Sequence, residues 1–246
     1  KLRIRYAQVT GTIELALRGD YFWEPQTGSE WSIREKFLNG VKVTWDKIPE
    51  LPFLEQDAVV QAPFDLELDK RYSYEKDGVE EVRGRSCWKL DFEPLRDEEA
   101  SAGSLYRGTA WIDQVTGALV KVTTIQTDLD PPLISDEETQ YFAPFEGPGG
   151  IQYWVVDEVD GQQIYTVAGS NLVVQRKITF KAPQINAADF EQKRSAVYGS
   201  ELQMLRDTPE GYKWLERTEE GDRVVNEEGD PTQLFAAAGA LRDEST

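Results

Sequence analysis

Carboxyl groups are the side chains of this sequence that could most readily do chemistry. The 246 residues include 45 Asp and Glu against 27 Lys and Arg, which gives a formal net charge of −18. Most glycosidases work with two carboxyl groups that flank the scissile bond, one as an acid and one as a base or nucleophile. The residues considered for such a pair are Asp113, Asp128, Asp130, Asp157 and Glu158.

A structural role accounts for most of these acids. Asp113 falls at a predicted turn, where its side chain can accept hydrogen bonds from nearby backbone N–H groups, and Asp128 and Asp130 precede two prolines. We interpret them as turn acids and predict no catalytic residue, so the chain is expected not to be an enzyme. An acid-pair glycosidase stays open as the alternative.

The sequence also predicts neither a metal nor a cofactor. The chain has no histidine, which removes zinc sites built on Cys and His and any His-activated nucleophile. Residues 147–150 lack the Lys and the following helix of a phosphate-binding loop. Calcium prefers oxygen ligands, which acidic side chains supply, but the acids of this sequence do not form an Asp-x-Asp-x-Asp-Gly loop with a later Glu. The acids considered for calcium are Asp128, Asp130, Asp136, Glu137 and Glu138.

Charge and composition restrict the class of partner. An excess of negative charge repels nucleic acid phosphates, so we expect no nucleic acid partner.

The single cysteine, Cys87, excludes an intrachain disulfide and is predicted to be a small buried residue. No run approaches the ~18 apolar residues of a spanning helix. The chain begins at Lys1 without a charged and apolar leader, as expected for a mature exported protein or a trimmed one.

The elements that must position any site are β-hairpins. Residues 105–128 alternate apolar and polar side chains on both sides of a turn at 113–117, the pattern of half-buried strands in a hairpin. Asn39-Gly40 between two alternating runs predicts a second hairpin, because both residues tolerate positive φ. Further turns are predicted at 76–78, at Asp160-Gly161 and at 219–222. The chain is therefore expected to be mainly β (α+β), a curved antiparallel meander that forms an unclosed half-barrel.

The remainder of the chain predicts one longer helix and two irregular segments. Asn186 is a good helix cap and Asp189 suits the first turn of a helix, which places the helix at about 187–205. Residues 48–63 lose the strand period between prolines. We expect one domain over 1–226 that includes the helix, followed by a flexible acidic tail or linker over 227–246.

Residues 108–113, read as GTAWID, and residues 116–122, read as TGALVKV, resemble the outer-membrane lipoprotein sorting (Lol-type) chaperones and their sigma-regulatory relatives. That family carries an aromatic-aliphatic-Asp strand, a tight turn and a return strand with a basic residue. The resemblance implies an unclosed antiparallel barrel with an apolar interior able to hold acyl chains. It also implies a periplasmic location, with association to the outer membrane as a further expectation.

The predicted site is the concave face of this sheet, which must either be filled by its own side chains or receive an apolar ligand. The positions taken as cavity-lining or core residues are Trp111, Val120, Val122, Trp154 and Val156. The leading hypothesis is an exported envelope protein that binds a lipid or a lipoprotein acyl chain for transport or sensing. The alternatives are a protein-interaction module in an outer-membrane assembly, with an envelope protein as its partner, and a carbohydrate-binding or carbohydrate-cleaving protein.

Overall fold

The computed structural model describes ten stretches of the chain, whose residues form fourteen strands, one α-helix and a short 3-10 helix at Pro148–Gly150. The stretches are 2–6, 12–24, 28–43, 71–95, 106–127, 129–167, 169–198, 203–208, 211–218 and 221–224. They belong to two compact units, one built from Lys1–Ile13 with Val60–Asn186 and one from Glu14–Val59 with Ala187–Thr246. Among the described residues, no helix is both long and apolar enough to cross a membrane.

The elements follow one another in a nearly all-β order. They are β1 (Leu2–Tyr6), β2 (Thr12–Glu24), β3 (Gly28–Leu38), β4 (Val41–Val43), β5 (Tyr72–Val82), β6 (Arg85–Pro94), β7 (Tyr106–Asp113), β8 (Leu119–Gln126), β9 (Leu133–Glu146), β10 (Gln152–Val167), β11 (Ser170–Thr179), α1 (Phe190–Tyr198), β12 (Gln203–Thr208), β13 (Gly211–Thr218) and β14 (Gly221–Val224). The prediction of a mainly antiparallel β chain with a helix near its C-terminal part is confirmed.

The first unit is one open antiparallel sheet. Strands β5 to β11 form a meander in which each strand pairs with the next, and β1 pairs with β11. The described parts of β1 and β5 lie at opposite ends of this order and do not pair with each other, so the sheet is not closed. Register shifts in β5, β7–β8 and twice in β9–β10 mark bulges. Bulges bend strands and increase their twist, which supplies the curvature of the sheet.

The second unit pairs its strands in the order β14-β13-β12-β3-β2, with β4 also on β3. Helix α1 is tied to this sheet by charge and by an aromatic contact. The guanidinium of Arg194 donates from Nε to Oε2 of Glu30 at 2.9 Å and from Nη1 to Oε1 of Glu24 at 2.5 Å. The rings of Phe22 and Phe190 meet edge to face at 6.0 Å. The side chain of Glu30 is almost completely buried, so this ion pair is shielded from water.

The predicted helix over 187–205 is wrong in its extent. Helix α1 covers only Phe190–Tyr198, and Gln203–Thr208 is strand β12. Asn186 has a φ of 50° and therefore precedes the helix in a left-handed conformation. Strand β12 forms ladders with both β3 and β13. Pairing on two sides outweighs a helical spacing of apolar residues that the isolated sequence suggested.

Two predicted turns are also wrong. Residues 76–78 lie inside β5 as a bulge, and the chain reverses at Arg83 and Gly84, whose φ values are 50° and 75°. Asp160 and Gly161 lie in the middle of β10, which runs for 16 residues. Gly161 is there because the guanidinium of Arg176 lies across it, 3.3 Å from where a Cβ would be. In both cases the glycine, Gly78 or Gly161, lies within a strand and not in a hairpin turn.

Other sequence predictions are confirmed. Asn39 and Gly40 have φ values of 48° and 81° and join β3 to β4. The central hairpin over 105–128 is formed by β7 and β8, and the last hairpin by β13 and β14. The irregular segment 48–63 and the tail 227–246 lie outside the described residues, and the single domain over 1–226 stays a prediction.

Candidate functional site

Buried apolar side chains cover both faces of the sheet in the first unit. Ala110 and Trp111 are neighbours on β7, and successive side chains of a strand point to opposite faces. Ala110 belongs to a cluster that we call the aromatic face, formed by Tyr72, Phe92, Ala110 and Val122 with Tyr74, Leu119 and Phe142 packed against it. Trp111 belongs to a second group, the tryptophan cluster, formed by Val82, Cys87, Trp111 and Val120 with Trp154 packed against it.

The aromatic face is built around a glycine. A Cβ on Gly108 would come within 1.9 Å of the Thr123 carbonyl oxygen and 2.9 Å of the Phe92 ring. Glycine at this position therefore lets the Phe92 ring lie across β7. The Phe92 ring in turn meets the ring of Tyr72 at 6.1 Å between centroids, with an interplanar angle of 64°. The result is a continuous buried apolar cluster over β5 to β8, bordered by the half-buried side chains of Tyr74, Leu119 and Phe142.

A polar network continues the same face on the next three strands. Val122 of the aromatic face lies directly opposite Gln140 in the β8–β9 ladder, so the apolar and polar halves meet at that step. The members of the polar network are Asp136, Glu138, Gln140, Gln163, Tyr165 and Arg176. Registers Gln163 to Asp136 and Gly161 to Glu138 place them on one face of β9, β10 and β11. One sheet face is thus amphipathic along its width.

Hydrogen bonds link the members of the polar network in two chains. Tyr165 donates its hydroxyl hydrogen to Oε1 of Gln163 at 2.9 Å, and Nε2 of Gln163 donates to Oδ2 of Asp136 at 3.2 Å. Nε2 of Gln140 donates to Oε1 of Glu138 at 2.7 Å. The second carboxylate oxygen of Glu138 pairs with the Arg176 guanidinium.

Burial removes most of the water that would otherwise stabilise the charged groups of this network. The side chain of Glu138 is 4% exposed and that of Arg176 is 14% exposed, so their charges are largely removed from water. Burial raises the pKa of the Asp136 carboxyl, and this effect exceeds the opposing influence of the Gln163 hydrogen bond and of the Arg176 charge. A site with buried amides, a phenol and one guanidinium can hold an ester, amide or carboxylate group beside an apolar surface.

The tryptophan cluster on the other face is capped by cations. Nε1 of Trp111 donates to Oε2 of Glu80 at 2.9 Å, and the Lys121 ammonium lies 4.0 Å from the Trp111 ring centroid. The Arg85 guanidinium lies 4.8 Å from the ring centroid of Trp154. Cys87 beneath them is completely buried, and this burial raises the pKa of its thiol.

The five predicted site residues are divided between these surfaces. Trp111, Val120 and Trp154 come together in the tryptophan cluster. Val122 belongs to the aromatic face. Val156 is half-buried and pairs with Phe142 at the border of that face. They therefore do not line one wall, although Val120 and Val122 are both 1% exposed.

Three of the acids considered for a catalytic pair, Asp113, Asp157 and Glu158, are held in structural contacts. Oδ1 of Asp113 accepts from the backbone N–H groups of Val115 at 2.7 Å and Thr116 at 3.1 Å, which confirms the turn interpretation. Its pKa is lowered, chiefly by the hydrogen bond from Arg85 and then by these backbone donors. Ion pairs hold the two candidate acids on β10, Asp157 with Arg83 and Glu158 with Lys177.

Asp128 lies outside the described residues. In the part of the chain that the structure describes, no group of three acidic, Cys or His residues could hold a metal ion. Gln140, Gln163, Tyr165 and Arg176 were not predicted as site residues. The available signal was the two-residue spacing of Asp136, Glu138 and Gln140, which places three polar groups on one strand face.

No protein-family model matches the chain, and no curated protein sequence matches it either. Among solved structures, a DUF1329 family protein from Desulfovibrio piger is similar with a TM-score of 0.30 and 13% identity, covering 80% of this chain and 88% of that one. A putative outer membrane lipoprotein-sorting protein domain from Vibrio parahaemolyticus gives a TM-score of 0.29 and 12% identity, covering 78% and 88%. A chain of the Pseudomonas aeruginosa MucA/MucB complex gives 0.20 and 10%, covering 71% and 85%.

The second of these structures is described as a putative lipoprotein-sorting domain, the class of protein that the central hairpin resembles. The match is weak and distant in sequence. A likeness of this degree leaves the function to be inferred from the chain's own residues.

Proposed function

We propose that this chain is an exported bacterial envelope protein that binds a lipid or acyl chain on the amphipathic face of its first sheet. In the β8–β9 ladder Val122 lies opposite Gln140, so the aromatic face directly adjoins the buried polar network. This observation carries the proposal. An acyl chain would lie over the aromatic face. Its ester, amide or carboxylate group would then lie beside Gln140, where the polar network begins.

Apolar burial would supply the affinity. Each buried methylene contributes about 0.8 kcal/mol, so roughly ten methylenes give about 8 kcal/mol before the cost of ordering the chain. That balance favours reversible binding, as transport or sensing requires. Entry would take place at the border of the aromatic face, where Tyr74, Leu119 and Phe142 are half-buried.

Displacement of a fluorescent eighteen-carbon fatty acid tests the proposal. The double variant Tyr74→Ser/Phe142→Ser truncates two border rings and leaves the four buried members of the aromatic face intact. We expect the fatty acid to bind the unaltered chain and its Kd to rise about tenfold or more in the double variant, since apolar contact area is lost. Native mass spectrometry of the purified chain would show the lipid that it carries.

The matched control is Val79→Ser, which removes an exposed apolar side chain from the same strand as Tyr74. It should leave the Kd unchanged. If the unaltered chain is folded by circular dichroism but binds no fatty acid, or if the double variant binds as well as the control, the proposal is wrong.

The other parts of this proposal have separate supports. The resemblance of residues 108–122 to the lipoprotein sorting family supports a periplasmic location near the outer membrane. A non-enzymatic role is supported by the ion pairs that hold Asp113, Asp157 and Glu158, because a carboxylate fixed to a guanidinium or ammonium is a poor general acid.

A protein-interaction module is the second candidate, and strand β5 favours it. Within the described residues β5 pairs only with β6, so the other backbone edge of an eleven-residue strand is available to a partner strand. The bulge at 76–78 and the exposed charges along β5 hinder unspecific strand pairing at that edge. Chemical cross-linking from Ser73→Cys to an envelope protein would favour this function over lipid binding.

A further inference from the structure

The face of the sheet opposite the polar network contains a groove of different chemistry. It has a volume of about 490 Å³ and lies over β9, β10 and β11. We call it the polar groove, and its lining residues are Glu137, Thr139, Asp160, Gly161, Gln162, Gln175, Arg176 and Lys177. Glu137 precedes Glu138 and Gln162 precedes Gln163, so alternation places six of the eight lining residues on the face away from the proposed lipid site. The other two, Gly161 and Arg176, lie in the row of Glu138.

The ladder registers arrange six of these side chains in two rows. One row runs Thr139, Asp160, Lys177 across the three strands. The other runs Glu137, Gln162, Gln175. Every position in both rows carries a hydrogen-bonding group, and neighbouring strands are about 4.8 Å apart. The rows therefore present closely spaced donors and acceptors to the groove.

Contacts within the rows hold these groups in position. Lys177 Nζ lies 2.8 Å from Glu158 Oε1 and 3.3 Å from Asp160 Oδ1. Nε2 of Gln175 donates to Oε1 of Gln162 at 3.2 Å. The eight lining residues include two carboxylates, Glu137 and Asp160, and two cations, Arg176 and Lys177, so their formal charges cancel. A chain with a net charge of −18 thus has here a groove suited to a neutral ligand.

We propose that the polar groove binds a neutral carbohydrate. Carboxylates and amides side by side can each engage two neighbouring hydroxyls of a sugar ring, and Gln and Asp supply both donors and acceptors. Each row crosses three adjacent strands, so successive sugar units can lie along a row, across the sheet. The two rows lie on the face opposite the acyl-chain site, and Arg176 is the one residue that both sites share, so variants at Gln162 and Gln175 test the groove separately.

Isothermal titration calorimetry with maltohexaose, cellohexaose, chitohexaose and mannohexaose tests this site. At least one of these oligosaccharides should bind with a Kd in the millimolar range or tighter. The double variant Gln162→Ala/Gln175→Ala removes the amide pair and should weaken binding by about tenfold or more, since each lost hydrogen bond costs up to about tenfold. Binding should persist in 0.5 M NaCl, as expected for a neutral ligand.

The matched control is Gln163→Ala, one residue away on the same strand but on the opposite face. It should leave oligosaccharide binding unchanged, and the Gln162→Ala/Gln175→Ala variant should leave fatty acid displacement unchanged. The proposal is overturned if none of the four oligosaccharides binds the folded chain, or if the amide double variant binds them normally. Neither result would bear on the acyl-chain proposal, which has its own variants.

Discussion

At the scale of single residues, two glycines on the same face of the first sheet should differ sharply in their tolerance of a methyl group. A Cβ on Gly108 would meet the Thr123 backbone carbonyl, which cannot move without breaking the ladder. A Cβ on Gly161 would meet the Arg176 guanidinium at 3.3 Å, which is the flexible end of a side chain. We expect Gly108→Ala to lower the free energy of unfolding by about 2 to 3 kcal/mol and Gly161→Ala by less than about 1 kcal/mol.

Urea denaturation of the two glycine variants would measure this difference. Equal losses of stability would contradict the account of Gly108 as the residue that admits the Phe92 ring.

Asp136 should give the chain a distinctive dependence on pH. Burial raises its pKa above the unfolded value of 3.8, so the folded chain holds this proton more tightly than the unfolded chain does. The stabilising contribution is present below the unfolded pKa and is lost as pH rises through the folded pKa. Asp136→Asn should therefore raise the free energy of unfolding at pH 7, with a gain that narrows toward pH 4.

Denaturation curves of Asp136→Asn and the unaltered chain between pH 4 and pH 7 would measure that gain. Val79→Thr, an exposed change on β5 that leaves every titratable group in place, serves as the control and should show no comparable trend. A gain for Asp136→Asn that stays constant with pH would contradict a buried and titrating carboxyl.

At the scale of elements, the attachment of α1 to the second sheet should depend on one guanidinium. Arg194→Met leaves the buried Glu30 carboxylate without its main cation, and breaking a buried pair from one side costs about 3 kcal/mol or more. Lys193→Met, the adjacent exposed change on the same helix, should cost under about 1 kcal/mol because surface ion pairs contribute little. Scanning calorimetry would compare them, and similar Tm values would show that α1 is held by its apolar contacts alone.

The sequence predicted elements well where the signal is local. Alternation fixed β7 and β8, and Asn39-Gly40 fixed the β3–β4 turn, because the required φ values belong to the residues themselves. Elements set by distant partners were predicted less well. Gly161 looked like a turn because the opposing Arg176 is fifteen residues away, and β12 looked helical because its ladder partner β3 lies far earlier in the chain.

The candidate site was predictable only in part for the same reason. Trp111 and Val122 were identified as apolar strand positions, but alternation within one strand cannot say which strands share a face. The register between β8 and β9 decides that Val122 meets Gln140, and register is a property of the pair. The bulge between Trp111 and Ile112 leaves Val120 without a ladder partner in β7, and it packs in the tryptophan cluster.

At the scale of the whole molecule, net charge should govern how stability responds to salt. A formal charge of −18 over 246 residues means that compact states suffer self-repulsion. Raising NaCl from about 10 mM to about 150 mM shortens the screening length from roughly 30 Å to roughly 8 Å. We therefore expect Tm to increase over this range by several degrees, with fatty acid affinity little changed because apolar burial is only weakly salt-dependent.

Thermal melts at the two salt concentrations, with a neutral osmolyte as the control for ionic strength, would test this expectation. A Tm that falls with added salt would show that the ion pairs stabilise the chain more than its excess charge destabilises it.

Cys87, the one thiol of the chain, lies at the centre of the tryptophan cluster with no exposed surface. An alkylating reagent can reach its sulfur only when the packing of Val82, Trp111 and Val120 around it comes apart. The rate of alkylation of Cys87 therefore measures how often the first unit opens, and no engineered label is needed. The same rate can rank the variants described above by how often they open. It can also show whether a bound fatty acid slows that opening.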